Sequence, residues 1–108
     1  MQISDLLQES SAPGRKALPA ADIDALLKLL PGWERVAHEI VKIFPFKNYY
    51  ETIAFVNALA YVAHAEDHHP DLGVHYNRCK VAFSTHDAGG LTLNDFICAA
   101  KIEQLHTR

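Results

Sequence analysis

After Pro19, apolar residues Ile23, Leu26, Leu27 and Leu30 recur at helical spacing, and Asp22 and Asp24 sit where the helix dipole is positive. Pro31-Gly32 stops this first predicted helix. Trp33 to Glu39 and Ile40 to Phe46 are two short runs rich in β-branched and aromatic residues, read as a β-hairpin with Ala37-His38-Glu39 at its turn. Pro45 lacks an N–H for the ladder, so its strand end is expected at an edge or a bulge. From Asn48 to about Asp67 the spacing predicts a long helix capped by Asn48. Its broad apolar surface comprises Ile53, Val56, Ala60 and Ala63, flanked by Phe55, Leu59 and Val62. A narrow polar strip of Asn57, Tyr61, His64 and His68 runs along one face of it.

Between Val74 and His86 the period falls to two. Cys79, Val81, Phe83 and Thr85 alternate with Lys80, Ala82, Ser84 and His86, as in a half-buried strand. A turn containing Gly73 is a point at which a shorter strand around Val74 to Tyr76 would separate. Gly89-Gly90 marks a sharp turn, and Thr92 with Asp95 makes a capping-box-like start for a last helix to about His106, with Cys98, Ile102 and Leu105 on its core face. The order helix, strand, strand, helix, strand, strand, helix predicts an α+β domain: an antiparallel four-stranded sheet with helices packed on one face and its other face open. Residues 1–17 show no sustained periodicity and read as a flexible or peripheral arm; residues 18–108 read as a single domain.

A chain of 108 residues has room for one core. The net charge of −3, without a long Lys or Arg run, argues against a phosphate-backbone binder, so nucleic acid is not an expected partner. No apolar run approaches the roughly 18 to 20 residues of a membrane span. Cys79 and Cys98 lack metal-site spacing. The start of the chain does not resemble a secretion signal, so the expectation is a cytoplasmic protein with two reduced, mostly buried thiols.

Seven histidines change the picture, because His64, His68, His69 and His75 fall within a dozen residues, with Asp67 and Asp71 among them. Pro70 disfavours helical backbone at His69, which is expected to end the long helix at the pair His68-His69. Strand alternation puts His86 opposite Val81 and Phe83, toward the open sheet face. If the helix end meets the strand end, three imidazoles converge, able to give and take protons near neutral pH without a metal. Two plainer readings stand beside this one. His64 and His68 have the i, i+4 spacing of helix-borne metal ligands, with Asp67 or His69 to complete a shell, though no HExxH or Cys cluster accompanies them. Asp95 is explained by helix capping alone, or by capping together with a site role. His38, His75 and His106 are set aside as surface or capping residues.

The segments Phe44-Pro45-Phe46-Lys47-Asn48-Tyr49, Asp67-His68-His69-Pro70-Asp71, Tyr76-Asn77, Ser84-Thr85-His86, Gly90-Leu91 with Asp95, and Ala100 with Ile102-Glu103 resemble the pterin-4a-carbinolamine dehydratases from about Trp33 to Leu105. The resemblance implies an antiparallel sheet with helices on one face and a homodimer or homotetramer. It implies a lyase that converts 4a-hydroxy-tetrahydropterin, the product of an aromatic amino-acid hydroxylase, to quinonoid dihydropterin and water, with no cofactor and no metal. His68, His69 and Pro70 would form one wall of the pterin site, and Thr85, His86, Asp87 and Ala88 another, with Asp95 nearby. His68, His69 and His86 would be catalytic, His69 and His86 for direct proton transfer and His68 orienting the substrate or serving its other face. Many members carry Glu four residues before the first His of the pair; His64 stands there, and Glu66 follows two residues later. Some animal relatives also serve as dimerisation cofactors of a transcription factor, so a non-catalytic pterin-binding or protein-interaction module on the same scaffold is the alternative.

Overall fold

The computed structural model describes residues 1–106. Helix α1 spans Ile3–Gln8 and α2 spans Ala20–Leu27; the hairpin strands β1 and β2 are Glu34–Val36 and Glu39–Pro45. Helix α3 (Tyr49–Glu66) leads to a second hairpin, β3 (Asp71–His75) and β4 (Arg78–Phe83), and α4 is Leu93–His106. The strands form one antiparallel sheet in the order β1-β2-β4-β3. The architecture is the α+β arrangement expected.

Register decides which side of the sheet is core. Ile40 faces Phe83, Lys42 faces Val81 and Phe44 faces Cys79. All but Lys42 are wholly buried. Lys42 lies on the same face because Glu103 of α4 pairs with it and Trp33 Nε1 donates to that carboxylate, so the cation does not enter apolar surroundings alone. On the other face Val36 and Ile43 stay exposed. Pro45 fits at the end of a central strand. Phe46 N–H bonds across to Asn77, so the Pro45 nitrogen faces the opposite side, where the three-residue β1 does not reach.

Several expectations shift. The arm expected at residues 1–17 carries α1, whose Leu6 is wholly buried and which packs on α4. Helix α2 ends at Leu27, and Leu30 reaches the core from the turns that follow; Gly32 then takes a positive φ of 87°, where an added Cβ would meet the Lys42 side chain. In α3 the buried line is Thr52, Phe55, Leu59 and Ala63, a single stripe, while Ala60 and Tyr61 are exposed, because the sheet and α4 cover only one side. Gly73 lies inside β3; the turn is Tyr76-Asn77, and the Tyr76 carbonyl is held by the Thr52 hydroxyl at 3.0 Å. Helix α4 is buried through most of its first ten residues, between α1 and α3. Both cysteines are free and buried. Burial raises both thiol pKa values, that of Cys98 to about 12.

Candidate active site

Three chain reversals meet at one end of the sheet. Helix α3 ends at Glu66, two residues before the histidine pair, because Asp67 adopts a left-handed conformation (φ 52°). The amides of Asp67 and His68 turn back to the carbonyls of His64 and Ala63. Pro70 therefore follows the helix end rather than causing it at the pair. Strand β4 ends at Phe83, so strand alternation does not extend to His86, which instead begins a single 3-10 turn, His86–Ala88, closed by Gly89 at φ 71°. The third element is the start of α4 after Thr92.

The reversal at Asp67 lays the His68 ring parallel to Phe83, 8° between planes and 5.9 Å between centroids. His68 Nε2 lies 2.6 Å from Asp95 Oδ1. Asp95 has no solvent exposure. A carboxylate so placed needs donors, and three supply them: His68 at Oδ1, and the Thr85 hydroxyl (2.8 Å) and Thr92 N–H (2.9 Å) at Oδ2. Thr85 gives its one hydroxyl proton to Asp95, so at 2.9 Å it accepts from Thr92, whose oxygen in turn accepts from Asn94 N–H. Asp95 thus caps α4 and holds the His68 ring at the same time. The carboxylate only accepts, so Nε2 carries the proton and a neutral His68 keeps its lone pair on Nδ1.

A cavity of about 520 Å³ opens beside this pair, within the size range of small-molecule sites. Asp67 and His68 line one wall, and Thr85, Asp87 and Ala88 another. Of the residues expected in two walls, His68, Thr85, Asp87 and Ala88 are thus brought to one cavity. His69 and His86 are exposed and do not line the cavity, but each is the chain neighbour of a residue that does. Pro70 is likewise off the lining. His64 is exposed on α3 while His68 has left the helix, so the i, i+4 pairing is not realised. Among the described residues no group of three or more His, Cys, Asp or Glu side chains is arranged to hold a metal ion.

Sequence reasoning did not locate Glu66, Asn94 or the segment from Ser11 to Ala17, all of which line the cavity. Glu66, two residues after His64, lines the cavity, and its carboxylate accepts from Ser11 N–H at 2.8 Å and Lys101 Nζ at 2.7 Å. Burial pushes the Glu66 carboxyl up, but the hydrogen bond and charge of Lys101 and the Ser11 amide outweigh it and hold the group below its ordinary 4.5. A turn signal, Pro13-Gly14 followed by Arg15-Lys16, was present in the arm, but no local pattern tells where such a turn docks. Among the described residues no helix is long and apolar enough to cross a membrane.

Comparison with known proteins identifies the family and the fold. The family model described as pterin 4 alpha carbinolamine dehydratase matches residues 16–105. A Chromobacterium violaceum protein that carries this activity as a provisional name is 59% identical over 106 residues, covering 96% of this chain and 98% of its own. A crystal structure of a transcriptional coactivator/pterin dehydratase from Brucella melitensis superposes with a TM-score of 0.81 at 30% identity, over 84% of this chain and 99% of that one. A pterin dehydratase-like protein described as a RuBisCO assembly factor in the alpha-carboxysome shares the fold, with a TM-score of 0.57 at 21% identity over 68% of this chain and 86% of that one.

Proposed function

The chain belongs to the pterin 4 alpha carbinolamine dehydratase family, and from that premise we propose that it eliminates water from 4a-hydroxy-tetrahydropterin by histidine acid/base catalysis. The observation that carries the reading is His68, backed by the buried Asp95, in the wall of a cavity of suitable size. In the reaction the C4a–OH bond breaks and the hydroxyl leaves as water after gaining a proton. The neighbouring ring nitrogen loses a proton, and its electrons form the new double bond to C4a. One group must donate and one must accept, each within hydrogen-bond reach of its atom.

His68 suits the accepting role because Asp95 holds its ring and reserves the Nδ1 lone pair. Asp95 also stabilises the imidazolium that protonation produces. His69 and His86, one on each wall by chain position, are the candidates for the donor, and their exposure lets them recover a proton from solvent between turnovers. This revises the division that gave both transfers to His69 and His86. Thr85, Asp87 and Ala88 shape the binding site. A supply of substrate from an aromatic amino-acid hydroxylase, and assembly into a dimer or tetramer, belong to the same proposal.

The test is stopped-flow absorbance of freshly generated 4a-hydroxy-tetrahydropterin. Wild-type protein should speed its disappearance, and His68→Ala, His69→Ala and His86→Ala should each lower kcat/KM by about a hundredfold or more. Equal decay with and without protein overturns the proposal; pterin binding without turnover would favour an interaction module instead.

A further inference from the structure

We infer that the N-terminal arm is the third wall of the substrate site and that Arg15 is a substrate-binding residue, donating hydrogen bonds to an oxygen acceptor on the pterin. The inference rests on the dehydratase reading for the identity of the ligand. The arm itself is built into the cavity by bonds on both sides of it. Ser11 N–H donates to Glu66 at the end of α3, Ala12 exchanges two hydrogen bonds with the Asn94 amide at 3.0 and 2.8 Å, and Leu18 N–H donates to the Leu91 carbonyl at 2.8 Å. Glu66 and Asn94 are themselves cavity residues, so the arm docks on the site rather than beside it. Pro13-Gly14, with Gly14 at φ 77°, turns the chain so that Arg15 and Lys16 reach the lining.

Arg15, which lines this wall beside Lys16, has unspent hydrogen-bonding capacity. Its Nη2 donates to the Ser10 carbonyl at 3.2 Å, while its Nε is shielded from water and has no hydrogen-bond partner among the described residues. A guanidinium offers five donors and no acceptor, and a shielded donor without an acceptor is unfavourable. The buried carboxylates nearby do not meet the need: Asp95 is occupied by His68, Thr85 and Thr92, and Glu66 by Ser11 and Lys101. The remaining Nη hydrogens have no hydrogen-bond partner among the described residues, and a ligand that brings an acceptor to the cavity meets them. A pterin carries acceptors both on its ring, at the C4 oxygen, and on a hydroxylated C6 side chain. Arg15 stands one residue before the stretch matched by the family model, so this role is read from the chain's own structure.

The experiment compares full-length wild type, Arg15→Met and Arg15→Lys. Binding of 7,8-dihydrobiopterin is measured by titration calorimetry, and turnover with the 4a-hydroxy forms of tetrahydrobiopterin and of 6-methyl-tetrahydropterin. Arg15→Met should raise Kd and KM about tenfold and leave kcat within about twofold, with Arg15→Lys in between. A purely structural role would not give this split or this rescue. Equal losses with both substrates place the acceptor on the ring; a loss confined to tetrahydrobiopterin places it on the side chain. Kd and KM within twofold of wild type would overturn the inference. Wild type that binds pterin without turnover defeats the dehydratase reading and leaves the Kd comparison to decide Arg15; wild type that does neither overturns both.

Discussion

Replacing Asp95 by Asn exchanges one oxygen for an NH₂ group, and the hydrogen bonds around it dictate the consequence. Oδ2 accepts two donors, Thr85 Oγ1 and Thr92 N–H, whereas Oδ1 meets only His68. The amide oxygen will therefore take the Oδ2 position. The reverse orientation would confront two donors with a third, forfeiting about 1 kcal/mol for each bond. The NH₂ group then faces His68 Nε2, which must become the acceptor. The ring proton moves to Nδ1, and the lone pair assigned to proton abstraction is lost. Stability should suffer little, about 1 to 2 kcal/mol for exchanging charge-assisted bonds for neutral ones. Activity should suffer far more, since a misplaced general base costs about a hundred- to ten-thousandfold. The assay pairs kcat/KM for the 4a-hydroxy-tetrahydropterin with nitrogen NMR of the His68 tautomer and a thermal melt. An Asp95→Asn protein with kcat/KM within about threefold of wild type, or with His68 still protonated on Nε2, would refute this account of the pair.

The Glu66 carboxyl is held below its ordinary 4.5, so it contributes stability that is present above that value and fades as pH falls through the lower folded one. Wild type should therefore melt higher than Glu66→Gln at pH 7, and the gap should narrow progressively as pH is lowered below 4.5; a gap that does not change with pH in acid would contradict the assignment. Leu6→Ala should cost about 2 to 5 kcal/mol in urea unfolding, because the side chain is wholly buried where α1 meets α4. A cost below about 0.5 kcal/mol would mean that the arm is not part of the cooperative unit.

Much of the fold was legible because its signals are local. The 3.6-residue spacing of Ile23, Leu26 and Leu30, the Asn48 cap and the alternation of Cys79, Val81 and Phe83 each report one element's own periodicity. Element ends were less legible. The α3 terminus depends on Asp67 adopting a left-handed conformation, which Asp tolerates but does not announce, and β4 ends where its pairing with β2 ends at Ile40. Those two ends decide what each histidine does: His68 turns inward to Asp95, while His69 and His86 stay exposed.

The sequence alone determined the α+β order and made His68, His69 and His86 candidates, with family resemblance implying that residues 68–70 and 85–88 face one another. Only the tertiary structure decided that Asp95 is shared between a helix cap and a histidine. It likewise decided that Glu66, and not His64, lines the cavity, and that residues 11–17 line it as well. The physical reason is range. Helical and strand periods arise within a few residues of chain. The Asp95 network and the docking of the arm join residues tens of positions apart, and their energies exist only once those residues are brought together.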